Sequence, residues 1–238
     1  MRNMKNRKVF SDALVYSMPV FLGYLAIGIA FGLLLVDADY PWWLALIMSI
    51  CMYAGAGQYI AVGLFAAGVG LVESMLVQLA VNARHIVYGL SLSTKLSICG
   101  KLKYYVIFAL TDETFALLST LAEDDSYEQR GLFIFYVALL DQCYWVLGTA
   151  IGALIGSLLP FNMEGVGFAL TALFITLTIE QILHVKKPKI FIISACIATA
   201  AVSVLSSGAA LLASLMLSLG IVALIDKRGN KNDVGFKQ

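Results

Sequence analysis

Residues 195–217 read Ala-Cys-Ile-Ala-Thr-Ala-Ala-Val-Ser-Val-Leu-Ser-Ser-Gly-Ala-Ala-Leu-Leu-Ala-Ser-Leu-Met-Leu, apolar or small at every position. A strand of a membrane barrel alternates polar and apolar residues over about ten positions. Nothing in this stretch alternates, so it reads as helix with no face built for water. The rest of the chain agrees: of 238 residues 61% are hydrophobic and 13% charged, and mean hydropathy is +0.88, whereas a soluble domain carries about 25% charged residues. The solvent is a bilayer and the fold class is all-α, polytopic. Sixteen Lys and Arg against fifteen Asp and Glu leave no electrostatic footprint for nucleic acid. Cys51, Cys99, Cys143 and Cys196 lack CxxC or Cys/His spacing and read as small apolar fillers; neither a metal nor a cofactor is expected.

A spanning helix needs about 20 mostly apolar residues. Eight runs qualify: 14–36, 42–65, 71–93, 104–122, 131–157, 165–183, 190–206 and 208–225. The first follows Arg2, Lys5, Arg7 and Lys8 as a signal peptide would, yet it is longer than an h-region and no small-residue cleavage pattern ends it. It reads as a retained span. The expected organisation is a basic tail (1–12), one transmembrane helical domain (13–226) and a second basic tail (227–238), with no room for an attached soluble domain.

Fourteen of the sixteen basic residues fall in four clusters: the N-terminal tail, Lys95/Lys101/Lys103, Lys186/Lys187/Lys189 and Lys227/Arg228/Lys231/Lys237. Cytoplasmic loops collect Lys and Arg, so both termini read as cytoplasmic and the loop with Asp37 and Asp39 as external. If all eight runs span, the Lys95 cluster lands outside, against the rule. Making it cytoplasmic requires one non-spanning run among the first three and another among the next three. The simpler count, seven or eight spanning segments, is the expectation carried forward. Runs 1–3 and 4–6 could form a 3+3 inverted repeat ahead of a C-terminal pair, because an odd number of spans inverts the second unit.

Gly28/Gly32, Gly148/Gly152/Gly156 and Ala195/Thr199/Ser203/Ser207 recur every four residues. Such rows let helix backbones approach closely in lipid and read as packing seams. Trp42, Trp43, Tyr104 and Tyr105 lie at run ends as interfacial anchors.

Charges inside apolar runs are costly and so face a cavity or a partner. Glu73 and Glu180 lie near run ends and can reach headgroups. Gln78, Asn82 and His85 form one stripe of run 3 at i, i+4 and i+7, with Arg84 about 100° away. The stripe either glues helices together by hydrogen bonds or lines a solute path. The Arg84 guanidinium presents a fork suited to a carboxylate, or pairs with Asp112 or Asp141. His85 could shuttle protons or be a satisfied structural residue. Thr111-Asp112-Glu113-Thr114 interrupts run 4 with two carboxylates, at least one of which must be paired, protonated or in water; such a group can carry a coupling proton. Asp141-Gln142 offers a second instance. In run 2, Gly55, Gly57 and Gln58 within Tyr53-Ala54-Gly55-Ala56-Gly57-Gln58-Tyr59 permit a break in the helix at half depth. Transporters hold substrate anions at such breaks.

Through Met18-Pro19, Gly23, Phe31-Gly32, Met48-Ser49, the Tyr53–Tyr59 segment, Asn82-Ala83-Arg84-His85-Ile86-Val87-Tyr88-Gly89 and Asp112-Glu113-Thr114-Phe115-Ala116, the chain resembles the AzlC-type branched-chain amino-acid permeases, the large subunits of bacterial exporters. The likeness runs over about 10–185, and NxRHxxYG is its most specific element. The family usually has Ser where Gly57 stands and Phe where Tyr59 stands, a difference that bears on substrate preference if that Ser touches solute. The resemblance implies export of leucine, isoleucine, valine and in some cases methionine across a bacterial plasma membrane. It also implies an ion gradient as driving force and a small AzlD-like membrane subunit as partner. The residues themselves add the absence of a GxxxxGK phosphate loop. On this reading Gly55, Gly57, Gln58, Asn82 and Arg84 hold substrate, with either Arg84 or the Gly55–Gln58 break on its carboxylate. His85, Asp112, Glu113 and Asp141 serve ion coupling, with Asp112 or Glu113 taking either the substrate ammonium or the coupling proton. Alternatives are a carrier of another small solute, a membrane-embedded enzyme, which the lack of HExxH and GxSxG disfavours, and a non-transporting scaffold subunit.

Overall fold

The computed structural model describes residues 2–121, 129–158 and 188–204, together with positions 175, 179, 182, 213, 214, 217, 218 and 221. Among them every regular element is a helix. They are α1 (Arg2–Asp37), α2 (Trp42–Cys51), α3 (Gly55–Ala66), α4 (Leu71–Leu92), a 3-10 helix (Lys95–Leu102), α5 (Lys103–Phe108), α6 (Asp112–Thr120), α7 (Arg130–Leu158) and α8 (Pro188–Val204). By length and composition, Asn6–Asp37 and Arg130–Leu158 can each cross a membrane. Most of run 6, run 8, Glu180, Lys186, Lys187 and the C-terminal tail lie outside the described residues.

The described chain divides into two compact units: one holds residues up to Val62 and from Val81 through α7, the other Gly63–Ala80 and α8. In the first, α1 and α7 meet along the two glycine rows. A Cβ at Gly32 would fall on the backbone of Thr149, Gly152 and Ala153, and one at Gly152 on the backbone of Ile29. Only hydrogen fits there, as the spacing led us to expect. The helices run in the same direction, since Phe10 packs edge-on against Tyr136 at 5.3 Å at one end while Gly156 faces Val36 and Leu33 at the other.

Runs 2 and 4 are interrupted helices. In run 2 the chain stops after α2, passes Tyr53 at φ +41° and Gly55 at φ +20°, and restarts as α3. The left-handed Tyr53 is a costly conformation for a residue with a Cβ. In run 4, Thr111 at φ −111°, ψ 179° breaks the path and caps α6, its Oγ1 accepting from the Thr114 amide at 3.2 Å.

Both interruptions double the chain back. Along α7 the level of Asp141 lies about 15 Å beyond Gly131, at 1.5 Å per residue. From there α6 leads away: Thr114 bonds Asp141, Leu117 accepts from Tyr16, and Ser119 and Leu121 accept from Lys95 Nζ at 3.0 and 3.1 Å. The 3-10 helix containing Lys95 packs Ile98 and Cys99 on Gly131 at the start of α7. Thus α5 rises from that end and α6 returns to it. On the other side, α2 comes from the Asp37/Asp39 end to place the Ile50 carbonyl on Gln142 at 3.1 Å. Within the first unit, Gly55–Val62 then leads back the same way, with Tyr59 donating to the Ile27 carbonyl at 2.6 Å and packing on Phe31.

The expectation that the Lys95 cluster lies opposite the N-terminal one is thereby corrected. Lys95, Lys101 and Lys103 belong to the end that also carries Arg7 and Lys8, because α5–α6 is a hairpin and not a passage. This is the arrangement that the positive-inside rule required. Hydropathy missed it because two apolar half-helices in series look like one span.

In the second unit the first half of α4 exposes Leu71, Val72, Met75, Leu76 and Leu79. In α8 the Thr199 and Ser203 hydroxyls bond carbonyls one turn back, 2.9 and 2.8 Å away. Ala195, Thr199 and Ser203 are exposed, so this third small-residue row is not buried by a described neighbour; Ser207 lies outside the described residues. Cys99, in the 3-10 helix, is buried, and burial pushes its thiol above the ordinary value, as fits a filler.

Candidate functional site

The two hairpin tips put the N-termini of α3 and α6 at the middle level of α7, aimed from opposite ends. A helix N-terminus carries unpaired N–H groups and a partial positive charge. What the two tips do with that charge differs.

At the α3 tip, Gln58 is wholly buried. Its Oε1 accepts from Trp145 Nε1 at 2.9 Å and from the Ala54 amide at 3.3 Å, and its Nε2 donates to Ser49 Oγ at 3.1 Å. Ser49 continues to Thr149 at 3.0 Å. Both lone pairs of the Gln58 carbonyl oxygen and one of its two amide N–H groups are used, so it fixes the break in place and α7 beside it. Gly55 and Ala56 are half-exposed, and a Cβ on Gly55 would meet nothing within 4 Å. Gly57 is buried, its amide on the Ala54 carbonyl at 2.5 Å. The first turn of α3 therefore combines open space with no acidic residue.

At the α6 tip the first turn carries Asp112 and Glu113. Arg84 Nη1 lies 2.7 Å from Asp112 Oδ2, both side chains about one-third exposed, and Tyr88 donates to Asp112 Oδ1 at 2.5 Å. Of the partners considered for Arg84, the structure selects Asp112. His85, half-buried, packs edge-on against Tyr88 at 5.9 Å. Asn82 is half-buried on the preceding turn of α4.

Glu113 is exposed and its Oε2 accepts from Tyr24 at 2.7 Å. Tyr24 shares a 2.5 Å hydrogen bond with Thr111 Oγ1. Thr111 reaches Thr114 at 3.0 Å, and Thr114 donates to Asp141 Oδ2 at 2.7 Å. Asp141 is wholly buried, and among the described residues its Oδ1 has no partner. Tyr53 lies within electrostatic reach of Asp141, Glu113 and Tyr24. Next along α7, Gln142 accepts from Tyr105 at 2.5 Å.

The structure thus groups Asn82, Arg84, His85, Asp112 and Glu113 around the α6 tip, brings Asp141 to the same tip through Thr114, and sets Gly55, Gly57 and Gln58 at the other. Sequence reasoning passed over Tyr24, Ser49 and Thr149, and gave Thr111 and Thr114 no role. A signal existed: Asp141, Trp145 and Thr149 stand at i, i+4 and i+8, one face of α7. Among the described residues no three His, Cys, Asp or Glu come together as a metal site.

Residues 19–159 match the family model described as AzlC protein. A branched-chain amino acid transport protein AzlC of Bacillus subtilis is 33% identical over 94% of this chain and 88% of its own length. A membrane protein of Helicobacter pylori is 41% identical over 73% of this chain and 76% of its own. The inner membrane protein YgaZ of Escherichia coli is 29% identical over 87% and 86%. No solved structure matches.

Proposed function

Because the chain belongs to the AzlC protein family, we propose that it is the large subunit of a secondary transporter that exports branched-chain amino acids across a bacterial plasma membrane. Leucine, isoleucine and valine are its substrates, methionine a further one. A small AzlD-like membrane protein completes the system, an ion gradient drives it, and the basic end with both termini faces the cytoplasm. Runs 2 and 4 enter the bilayer from opposite faces and leave by the face they entered.

The observation that carries this reading is the pair of half-helix N-termini brought to the same middle level of α7, one open and one lined with carboxylates. The substrate carboxylate sits on the free amides at Gly55 and Ala56, an anion site of the kind broken helices make in carriers. Its ammonium pairs with Glu113. Arg84 is committed to Asp112 and orients it, so it shapes the site without clamping the substrate. Asn82 and His85 border the site on α4, Gly57 lets the backbone close up behind Gly55, and Gln58 holds the break open.

Cells loaded with leucine- and isoleucine-containing dipeptides test this. Efflux of free amino acids is expected with this chain and the small subunit together, and none above background with either alone. Normal assembly of both chains without efflux would reject branched-chain export.

A further inference from the structure

The hydrogen bonds from Glu113 to Asp141 form a continuous file: Glu113, Tyr24, Thr111, Thr114, Asp141, at 2.7, 2.5, 3.0 and 2.7 Å. Its outer end is an exposed carboxyl and its inner end a wholly buried one. Each hydroxyl between them owns one proton and can donate one bond while accepting another. Three hydroxyls therefore supply three protons for four links. With Tyr24 donating to Glu113, Thr111 to Thr114 and Thr114 to Asp141, the three protons are spent and the 2.5 Å Tyr24–Thr111 contact is left without one. A carboxylic acid at one end supplies it by turning the bonds between that end and the contact.

We infer that Tyr24, Thr111 and Thr114 are a proton relay between Glu113 and Asp141, holding a single shared proton that occupies one carboxyl or the other. With the proton on Glu113, every bond in the file donates inward and Asp141 is the carboxylate. Transfer breaks one O–H bond at Glu113, Tyr24, Thr111 and Thr114 and forms one at Tyr24, Thr111, Thr114 and Asp141. The net change is one proton moved from the exposed to the buried carboxyl, with every bond then donating outward. No other reactant is needed. Neither arrangement leaves a hydroxyl of the file without a partner, and in low dielectric such a file polarises cooperatively.

The charged and titratable surroundings favour one shared proton over two or none. Glu113 faces Tyr24 from α1, Asp112 on its own helix and Arg84 from α4. Asp141 faces Thr114 from α6, Glu113, and Tyr53 from the α3 tip. The one cation in this set, Arg84, is held by Asp112, so two ionised carboxylates joined by the file would share no counter-charge in contact.

This relay deepens the transport reading and rests on it for its consequence. A substrate ammonium on Glu113 requires the carboxylate form, which sends the shared proton to Asp141; substrate and proton then compete for Glu113. The device makes the coupling ion a proton and Asp141 its buried store.

The test uses the full chain, co-expressed with its small subunit, in liposomes. Thr114→Val and Tyr24→Phe each cut the file while keeping side-chain shape. Both are expected to retain exchange of labelled leucine across the membrane within about twofold and to lose gradient-driven leucine accumulation by about tenfold or more, because only the second needs a proton to pass. Thr114→Ser should restore accumulation. Accumulation at the wild-type level in both cut variants would overturn the relay, as would equal loss of exchange and accumulation in Tyr24→Phe and Thr114→Val with Thr114→Ser failing to rescue. If the wild-type protein exchanges no leucine, the transport reading fails on its own, and infrared titration decides the relay. One protonated-carboxyl stretch is expected at neutral pH, moved by Thr114→Val and absent in the Glu113→Gln/Asp141→Asn double variant. No such band in the wild type would refute it.

Discussion

The two helix breaks solve the same backbone problem with opposite chemistry. At the α3 tip a neutral amide, Gln58, ties the break to Ser49, Ala54 and Trp145, and the first turn keeps its positive end uncompensated. At the α6 tip a threonine caps the helix, and Asp112 and Glu113 neutralise the same positive end from within. On the proposed reading one tip is left able to attract an anion from outside the chain, whereas the other has supplied its own and keeps a surplus carboxylate for a cation. A zwitterion needs one tip of each kind.

The sharpest way to break this contrast is to make the tips alike. Ala56→Asp gives the α3 tip its own carboxylate, and leucine transport is expected to fall about a hundredfold as the introduced charge occupies the anion site. The thermal midpoint in detergent should hold or rise, since a carboxylate in the first turn stabilises a helix. Unchanged transport would show that the substrate carboxylate binds elsewhere. A middling effect is expected from Gln58→Leu, which keeps the volume but strands the Trp145 indole, the Ala54 amide and Ser49. Loss of about 2 kcal/mol in detergent unfolding is expected, and a neutral outcome would mean that the break holds without its amide. The smallest change tests the far end of the acidic hairpin: Lys95→Ala removes the donor to Ser119 and Leu121 and should cost about 0.5–1 kcal/mol. It should leave leucine affinity alone, and an altered affinity would show that the return leg of the hairpin reaches the site.

Much of this was legible in sequence for a physical reason in each instance. Gly28, Gly32, Gly148 and Gly152 announce a seam because only close backbones need such rows. Gly55 and Gly57 announce a break because a helix interior penalises glycine. Asp141 stands out because a charge in an apolar run is expensive. The return legs of the hairpins were not legible in apolarity, since Gly55–Val62 is as greasy as a leg that continues onward. Only the misplaced Lys95 cluster registered the difference. Thr111 and Thr114 escaped because a threonine hydroxyl is so often bonded to a nearby backbone group that a link in a file looks no different in sequence, and Tyr24 because a tyrosine inside an apolar run reads as one more aromatic of the core.

The seam between α1 and α7 has a mechanical meaning as well. Tyr24 belongs to one of these helices and Asp141 to the other, and the bonds joining them through Thr111 and Thr114 are 2.5–3.0 Å long, a range that tolerates errors of a few tenths of an ångström. Backbones separated by hydrogen atoms alone cannot come closer, and sliding along the seam would bring Cβ atoms to places where only glycine fits. The pair therefore acts as a gauge block, setting the span across which the file is strung. Whatever moves during a transport cycle is sought in the hairpins and their neighbours, with α1 and α7 as the fixed frame against which that motion is measured.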